Sequence, residues 1–301
     1  HSLLLDNTGD HIVQAVGSLR LLGVRVSSGE PLEGRCAEMT RPSRKRDGDA
    51  ILVLDSISKA FGGVQAVDSF SMDLKKGEIV GLIGPNGAGK TTVLNMISKV
   101  TPLDSGDILL DGESLKQMPP HEVSSLGISR TFQEIHLFKG LSVLSNTKAA
   151  CHLTATYSLG DALVWSSRAR KAEAEIEDIC VEMLDMFGLK EHMNKEAQSL
   201  PYGRQKLLEI AKALVTRPKV VLLDEPAAGL NNEETNELLS LVRMAQKKLD
   251  LSIIVIEHTM EFISDISDRI VVMNFGKKIA EGTWDEIRCN EEVLTCYLGE
   301  D

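Results

Sequence analysis

The run Gly84-Pro-Asn-Gly-Ala-Gly89-Lys90-Thr91 constrains this chain more than any other part of it. It follows the apolar segment Ile79–Ile83 and precedes Val93, Met96, Ile97 and Val100, which recur at helical spacing. The pattern G-x-x-x-x-G-K-[ST] therefore lies between a short buried strand and an amphipathic helix, the setting in which it binds phosphate. Glycines let backbone amides converge on phosphate oxygens without Cβ obstruction. The helix N-terminus adds partial positive charge. Gly84, Pro85, Asn86, Gly87, Ala88, Gly89, Lys90, Thr91 and Thr92 form the expected cradle for a nucleotide. Lys90 is placed to meet the β- and γ-phosphates, and the Thr91 hydroxyl to take one position on Mg²⁺.

A second anchor is Val220-Val-Leu-Leu-Asp224-Glu225, four apolar residues of a buried strand ending in two carboxylates. Asp224 is placed to hold Mg²⁺, mostly through its water shell, and Glu225 to polarise an attacking water. Further strands are predicted at 51–54, 70–74, 106–113, 252–256 and 270–273. Helices are predicted at 172–187, past Leu200, and at 233–248 and 259–267. Strands separated by helices argue for an α/β fold with a mainly parallel sheet.

Charge and composition narrow the function. Residues 1–50 hold seven basic and seven acidic groups, so the remainder, 26 basic against 37 acidic, carries the whole net charge of −11. Nucleic acid is a poor partner for a body this acidic, because phosphate-backbone contacts need clustered cations. No apolar run approaches the ~20 residues of a membrane-spanning helix. Cys36, Cys151, Cys180, Cys289 and Cys296 are scattered, with neither CxxC nor zinc spacing, as suits thiols in a reducing compartment. Residues 1–50 show no helical period, and Arg41–Asp49 read as a hydrophilic, solvated linker. They are expected to be a poorly structured leader or upstream sequence, with Met39 as a candidate start.

These landmarks resemble the ATP-binding subunit of ABC transporters, over about residues 51–301. The resemblance implies that Phe61 stacks on adenine and that Gln133 contacts Mg²⁺ and the attacking water. It implies that Leu200-Pro-Tyr202-Gly203-Arg-Gln205 is the signature segment that caps ATP from the opposite subunit. Pro201 stands where serine is common, and proline suits a first helical turn. Asn231 stands where Asp is usual, in the loop that communicates across the dimer. His258 matches the switch histidine on the γ-phosphate. Alone, Gln133 and His258 are unremarkable polar residues; their order along the chain gives them meaning.

Glu225-Pro-Ala-Ala-Gly-Leu-Asn231, Leu208-Glu-Ile-Ala211 and terminal Tyr297-Leu-Gly299 resemble the ATPases of branched-chain amino acid importers, whose relatives handle urea and short amides. The resemblance implies a P-loop NTPase core with an antiparallel β portion, a helical subdomain at about 135–199, and ATP with Mg²⁺ as ligands. It also implies a head-to-tail dimer with a second ATP-binding subunit, identical or paralogous, and permease subunits with an extracytoplasmic solute-binding protein. The location implied is peripheral, on the cytoplasmic face of the inner membrane. Leu137 and Phe138 are the expected permease-facing residues. The alternatives are a non-transport ATPase of the same family, a non-hydrolysing ATP-binding scaffold and a lipopolysaccharide-export relative.

Overall fold

A computed structural model of the protein describes residues 50–151 and 167–298. The expected leader, apart from Ala50, lies outside them, as do Met39, Cys36 and Gly299.

Strands β1 (Ala50–Phe61) and β2 (Val64–Lys75) form a hairpin around Gly62-Gly63. β3 (Ile79–Ile83) runs through the glycine loop into α1 (Lys90–Ile97). Next come β4 (Ser105–Leu110), β5 (Glu113–Ser114), α2 (Pro120–Ser125) and β6 (Ile128–Arg130). Helices α3 (Val143–Ala150), α4 (Ser167–Met186) and α5 (Tyr202–Leu214) follow. Strands and helices then alternate through β7 (Val220–Asp224), α6 (Asn232–Leu249), β8 (Ser252–Ile256) and α7 (Met260–Ile266). The chain continues with β9 (Arg269–Asn274), β10 (Lys277–Gly282), α8 (Trp284–Ile287) and α9 (Glu291–Leu298).

The first hairpin is longer than its sequence pattern predicts, at twelve residues a strand. Register shifts between Leu54 and Ile57, with Ser56 and Ser69 in left-handed backbone, break the alternation that marks a strand. β6 and β10 are not foreseen. β6 spans three residues, and β10 is a polar edge strand burying only Ala280.

Two sheets result. An antiparallel sheet has the order β2-β1-β4-β5, and a central sheet the order β10-β9-β3-β8-β7-β6. In the central sheet β9, β3, β8, β7 and β6 are parallel, with β10 antiparallel at the edge. Strands β3, β7 and β8 are buried along their whole length, so they read as continuous apolar runs. Alternate residues feed two cores. Val80, Leu82, Val220, Leu222, Ile254 and Ile256 join Phe70, α1 and the antiparallel sheet. Ile79, Ile83, Val221, Leu223, Ile253 and Val255 join helices α3 to α7. Cys151 and Cys180 are buried in this second core with their Sγ atoms 3.7 Å apart. Among the described residues, no helix is long and apolar enough to cross a membrane.

Parallel strands end on one side. The C-terminal ends of β3, β6, β7 and β8 therefore deliver the glycine loop, Gln133, Asp224-Glu225 and Glu257-His258 to a common edge. Phe70, on β2, is fully buried in the core shared by the two sheets. Phe70→Ala should cost about 3–5 kcal/mol in urea unfolding. Phe275→Ala, at a side chain 85 % exposed, should change stability by no more than about 0.5 kcal/mol. Equal effects would contradict this placement of the core.

Candidate functional site

The glycine loop is fixed by close backbone contacts. A Cβ at Gly84 would lie 2.1 Å from the Met273 carbonyl oxygen, and one at Gly89 would lie 2.3 Å from that of Ala66. Both residues have positive φ, so only glycine fits. The Gly276 N–H donates to the Ala88 carbonyl at 2.9 Å, tying the loop to the β9–β10 turn. Lys90 is buried and its Nζ donates to the carbonyls of Gly84 and Pro85, at 2.7 and 2.9 Å. Helix α1 has no side-chain cap and no acidic residue in its first turn. Helix α6 has a capping box and two glutamates there. Helix α1 thus places no side-chain cap and no negative charge at its N-terminus, an end at which the helix dipole favours an anion.

Beside the loop, Glu225 is held from several directions. Its backbone is left-handed (φ 49°), and its N–H donates to the Ile256 carbonyl at 2.9 Å. Gln133 Nε2 donates to Oε2 at 2.7 Å, while His258 Nε2 sits 2.9 Å from Oε1. The structure thus joins the three residues read as catalytic, although 92 positions separate Gln133 from Glu225. Two buried charges lie behind them. Lys206 Nζ donates to the Gln133 carbonyl at 3.0 Å and the Glu225 carbonyl at 3.4 Å, and burial pushes its pKa down. Glu257 accepts the backbone N–H of Ala227 at 2.6 Å and of His258 at 3.2 Å. Burial pushes its carboxyl up, against the opposing pull of those two donors. Sequence reasoning missed both residues; each reads as an ordinary charge in a helix or loop.

Asp224 is buried at the end of β7, and Arg130 donates to its Oδ2 at 2.9 Å. The guanidinium also donates to Asn95 Oδ1 and Ser98 Oγ on α1 and its C-cap, at 2.7 and 3.1 Å. Carboxylate, hydroxyl and amide oxygens suit Mg²⁺, a hard cation that keeps several waters and is completed by substrate phosphates. The donors at Thr91, Gln133 and Asp224 fit that chemistry. Among the described residues no cluster of three or more His, Cys, Asp or Glu side chains stands ready to hold a metal.

Other expected site residues lie apart from this centre. The Phe61 ring is half exposed on the β1–β2 hairpin, with Lys59 Nζ 5.5 Å from its centroid. Tyr202 and Gly203 pack on their own chain. The Tyr202 hydroxyl donates to the Ala228 carbonyl at 3.2 Å, and a Cβ at Gly203 would lie 2.4 Å from Glu234 Oε1. Pro201 caps α5 without a side-chain hydrogen bond, while its carbonyl accepts from Gln205 N at 3.0 Å. Asn231 caps helix α6. Its Oδ1 accepts the Glu234 N–H at 3.0 Å, and Glu234 Oε2 accepts the Asn231 N–H at 3.0 Å.

A cleft of about 980 Å³ opens beyond Gln133. Val100, Phe132 and Phe138 give it exposed apolar surface, while His121, His136, Lys212, Arg217 and Lys219 give it basic groups. Phe138 is 56 % exposed there, but Leu137 turns inward against the second core. The expected outward-facing pair is therefore divided. Asn146 is fully buried, a residue the sequence did not single out. It shapes this loop by accepting the Phe138 N–H at 2.8 Å and donating to the carbonyls of Phe138, Leu141 and Ser142.

Fold and site together define an ATP-binding cassette. The model of the ABC transporter family matches residues 67–228, and that of the branched-chain amino acid ATP-binding cassette transporter matches 277–301. The high-affinity branched-chain amino acid transport ATP-binding protein LivG of Salmonella typhimurium is 41 % identical over 250 residues, covering 83 % of this chain and 98 % of that protein. BraF of Pseudomonas aeruginosa, described in the same words, is 38 % identical over 250 residues, with the same coverage of each chain. A crystal structure of the ADP conformation of an ATP-binding cassette of an ABC transporter superposes with TM-score 0.73 at 29 % identity, covering 83 % of this chain and 99 % of that one. The chain belongs to the ABC transporter family of ATP-binding cassettes, which are transport ATPases.

Asn231 needs a hydrogen-bond acceptor rather than an amide. Asn231→Asp should therefore change stability by no more than about 0.5 kcal/mol, whereas Asn231→Ala should cost about 1 kcal/mol. Chemical denaturation of the two variants checks this.

Proposed function

We propose that this chain hydrolyses ATP to energise uptake of branched-chain amino acids or related small polar solutes through separate permease subunits. The observation that carries the hydrolytic reading is the Glu225 carboxylate held between Gln133 and His258. The Glu225 carboxylate supplies the base, and the Gln133 amide bonded to it helps hold it in place. Lys90 and the first amides of α1 bind and orient the phosphates. Thr91, Asp224 and Gln133 would hold Mg²⁺, which would supply positive charge against the phosphate oxygens. His258, beside Glu225, is positioned for a hydrogen bond to the γ-phosphate, and Phe61 offers a ring face to adenine. The cargo assignment is supported by the match over 277–301 and by the names of the relatives.

In this reading a second ATP-binding subunit, identical or paralogous, docks head to tail and presents its Tyr202-Gly203 segment to the nucleotide. The described residues of 135–199 serve as a helical subdomain, with 152–166 lying outside the described residues. Permease subunits dock in the cleft beside Phe138, on the cytoplasmic face of the membrane, and a solute-binding protein delivers cargo from the far side.

ATPase assay of the purified chain tests the chemistry. Glu225→Gln should lower kcat by at least about 100-fold, because it removes the base, while ATP affinity stays within threefold. Equal rates would reject Glu225 as the base, and a wild type that binds ATP without turnover would favour a scaffold. A photocrosslinker at position 138 should capture a membrane permease in native membranes. Capture of a permease for an unrelated solute would overturn the cargo assignment, and no membrane adduct would overturn the docking surface.

A further inference from the structure

Lys206 has no part in the scheme above, yet it is one of the few charged side chains buried among the described residues, at 4 % exposure. Its ammonium lies among Glu257, Glu225, Glu209 and Asp224, and donates to the backbone carbonyls of Gln133 and Glu225. A buried lysine is costly unless its donors are met. Here two of the three are met by the main chain of the two residues whose side chains touch each other in the catalytic centre.

Helix α5, which carries Lys206, continues away from the centre along the cleft. Glu209 and Ala213 stand three and seven residues further on, on the same helical face as Lys206, and both line the cleft with Lys212. Lys212 Nζ in turn donates to the His136 carbonyl at 2.7 Å. Two lysines of one helix thus pin the chain segment 133–136 at both ends. Nothing in the side-chain chemistry of catalysis requires that attachment.

We propose that Lys206 is a positioning residue: it fixes the main chain of Gln133 and Glu225 so that amide and carboxylate stay aligned, and it makes α5 the rigid link between the cleft and the hydrolytic centre. The proposal rests on the ATPase reading above. Methionine fills the same space without donors, glutamine keeps an N–H donor on a shorter side chain, and arginine keeps the charge with several N–H donors.

Steady-state ATPase kinetics and nucleotide binding on the full chain, with trinitrophenyl-ATP as the binding probe, test it. K206M should lose tenfold or more in kcat while KM and probe affinity stay within threefold, and K206R should recover to within threefold of wild type. If K206M does not fold, K206Q takes its place, with the same expected fall. A fall smaller than tenfold overturns the proposal. So does a parallel loss of kcat and nucleotide affinity that K206R does not rescue, the pattern of a merely structural lysine. A wild type without turnover overturns the functional reading, and this one with it. A wild type that turns over beside an unimpaired K206M overturns this one alone.

Discussion

The chemistry of this molecule depends on the parallel register of β6, β7, β8 and β3. Asp224 and Leu82 both pair with Ile256 at the end of β8, while β6 stops at Arg130, opposite Leu222, so Gln133 follows β6 after a short extension of the chain. Hydrogen-bonded parallel strands lie about 5 Å apart. Residues just past their ends are consequently within side-chain reach, however far apart they stand in sequence. Glu225 lies between its neighbours for this reason, and its N–H extends the β7–β8 ladder through Ile256. A slip of one residue in β7 would turn Asp224 and Glu225 to opposite faces and exchange the residues of both cores.

Electrostatics are handled locally. A chain of net charge −11 is a poor general host for a polyanion, and the solution lies in short-range groups. Helix α1 begins without a side-chain cap or an acidic first turn, and buried Lys206 and Arg130 lie against the carboxylates behind it. The Arg130–Asp224 pair is buried on both sides. Such pairs are seldom a net source of stability, since desolvation offsets most of their attraction. Its consequence is geometric: Asp224 is held to one orientation and connected through Asn95 and Ser98 to the helix that follows the phosphate loop.

The limits of sequence reading are physical and specific. The glycine loop was legible because a short, contiguous pattern encodes both its backbone and its charge. Strands β3, β7 and β8 were legible because burial on both faces leaves a continuous apolar run. The hairpin β1–β2 was only half legible, since bulges and left-handed serines disrupt the period that marks a strand. Asn231 drew attention as a departure from a family pattern, and the structure gives it a local duty that asparagine and aspartate perform alike. Phe138 and Leu137 are adjacent and both apolar, so composition could not say which of them faces outward.

Sequence alone determined that the chain is an α/β nucleotide-binding protein, which segment carries the phosphate-binding pattern and which carboxylates follow the buried strand. These are properties of contiguous segments, set by glycine's conformational freedom, helix dipoles and apolar periodicity. Only the tertiary structure decided that Gln133 and His258 grip opposite oxygens of Glu225, that Arg130 holds Asp224, and that Lys206 reaches the main chain of Gln133 and Glu225. Those contacts join residues from 19 to 94 positions apart. Sheet pairing and core packing alone bring such groups together, and no local pattern records them.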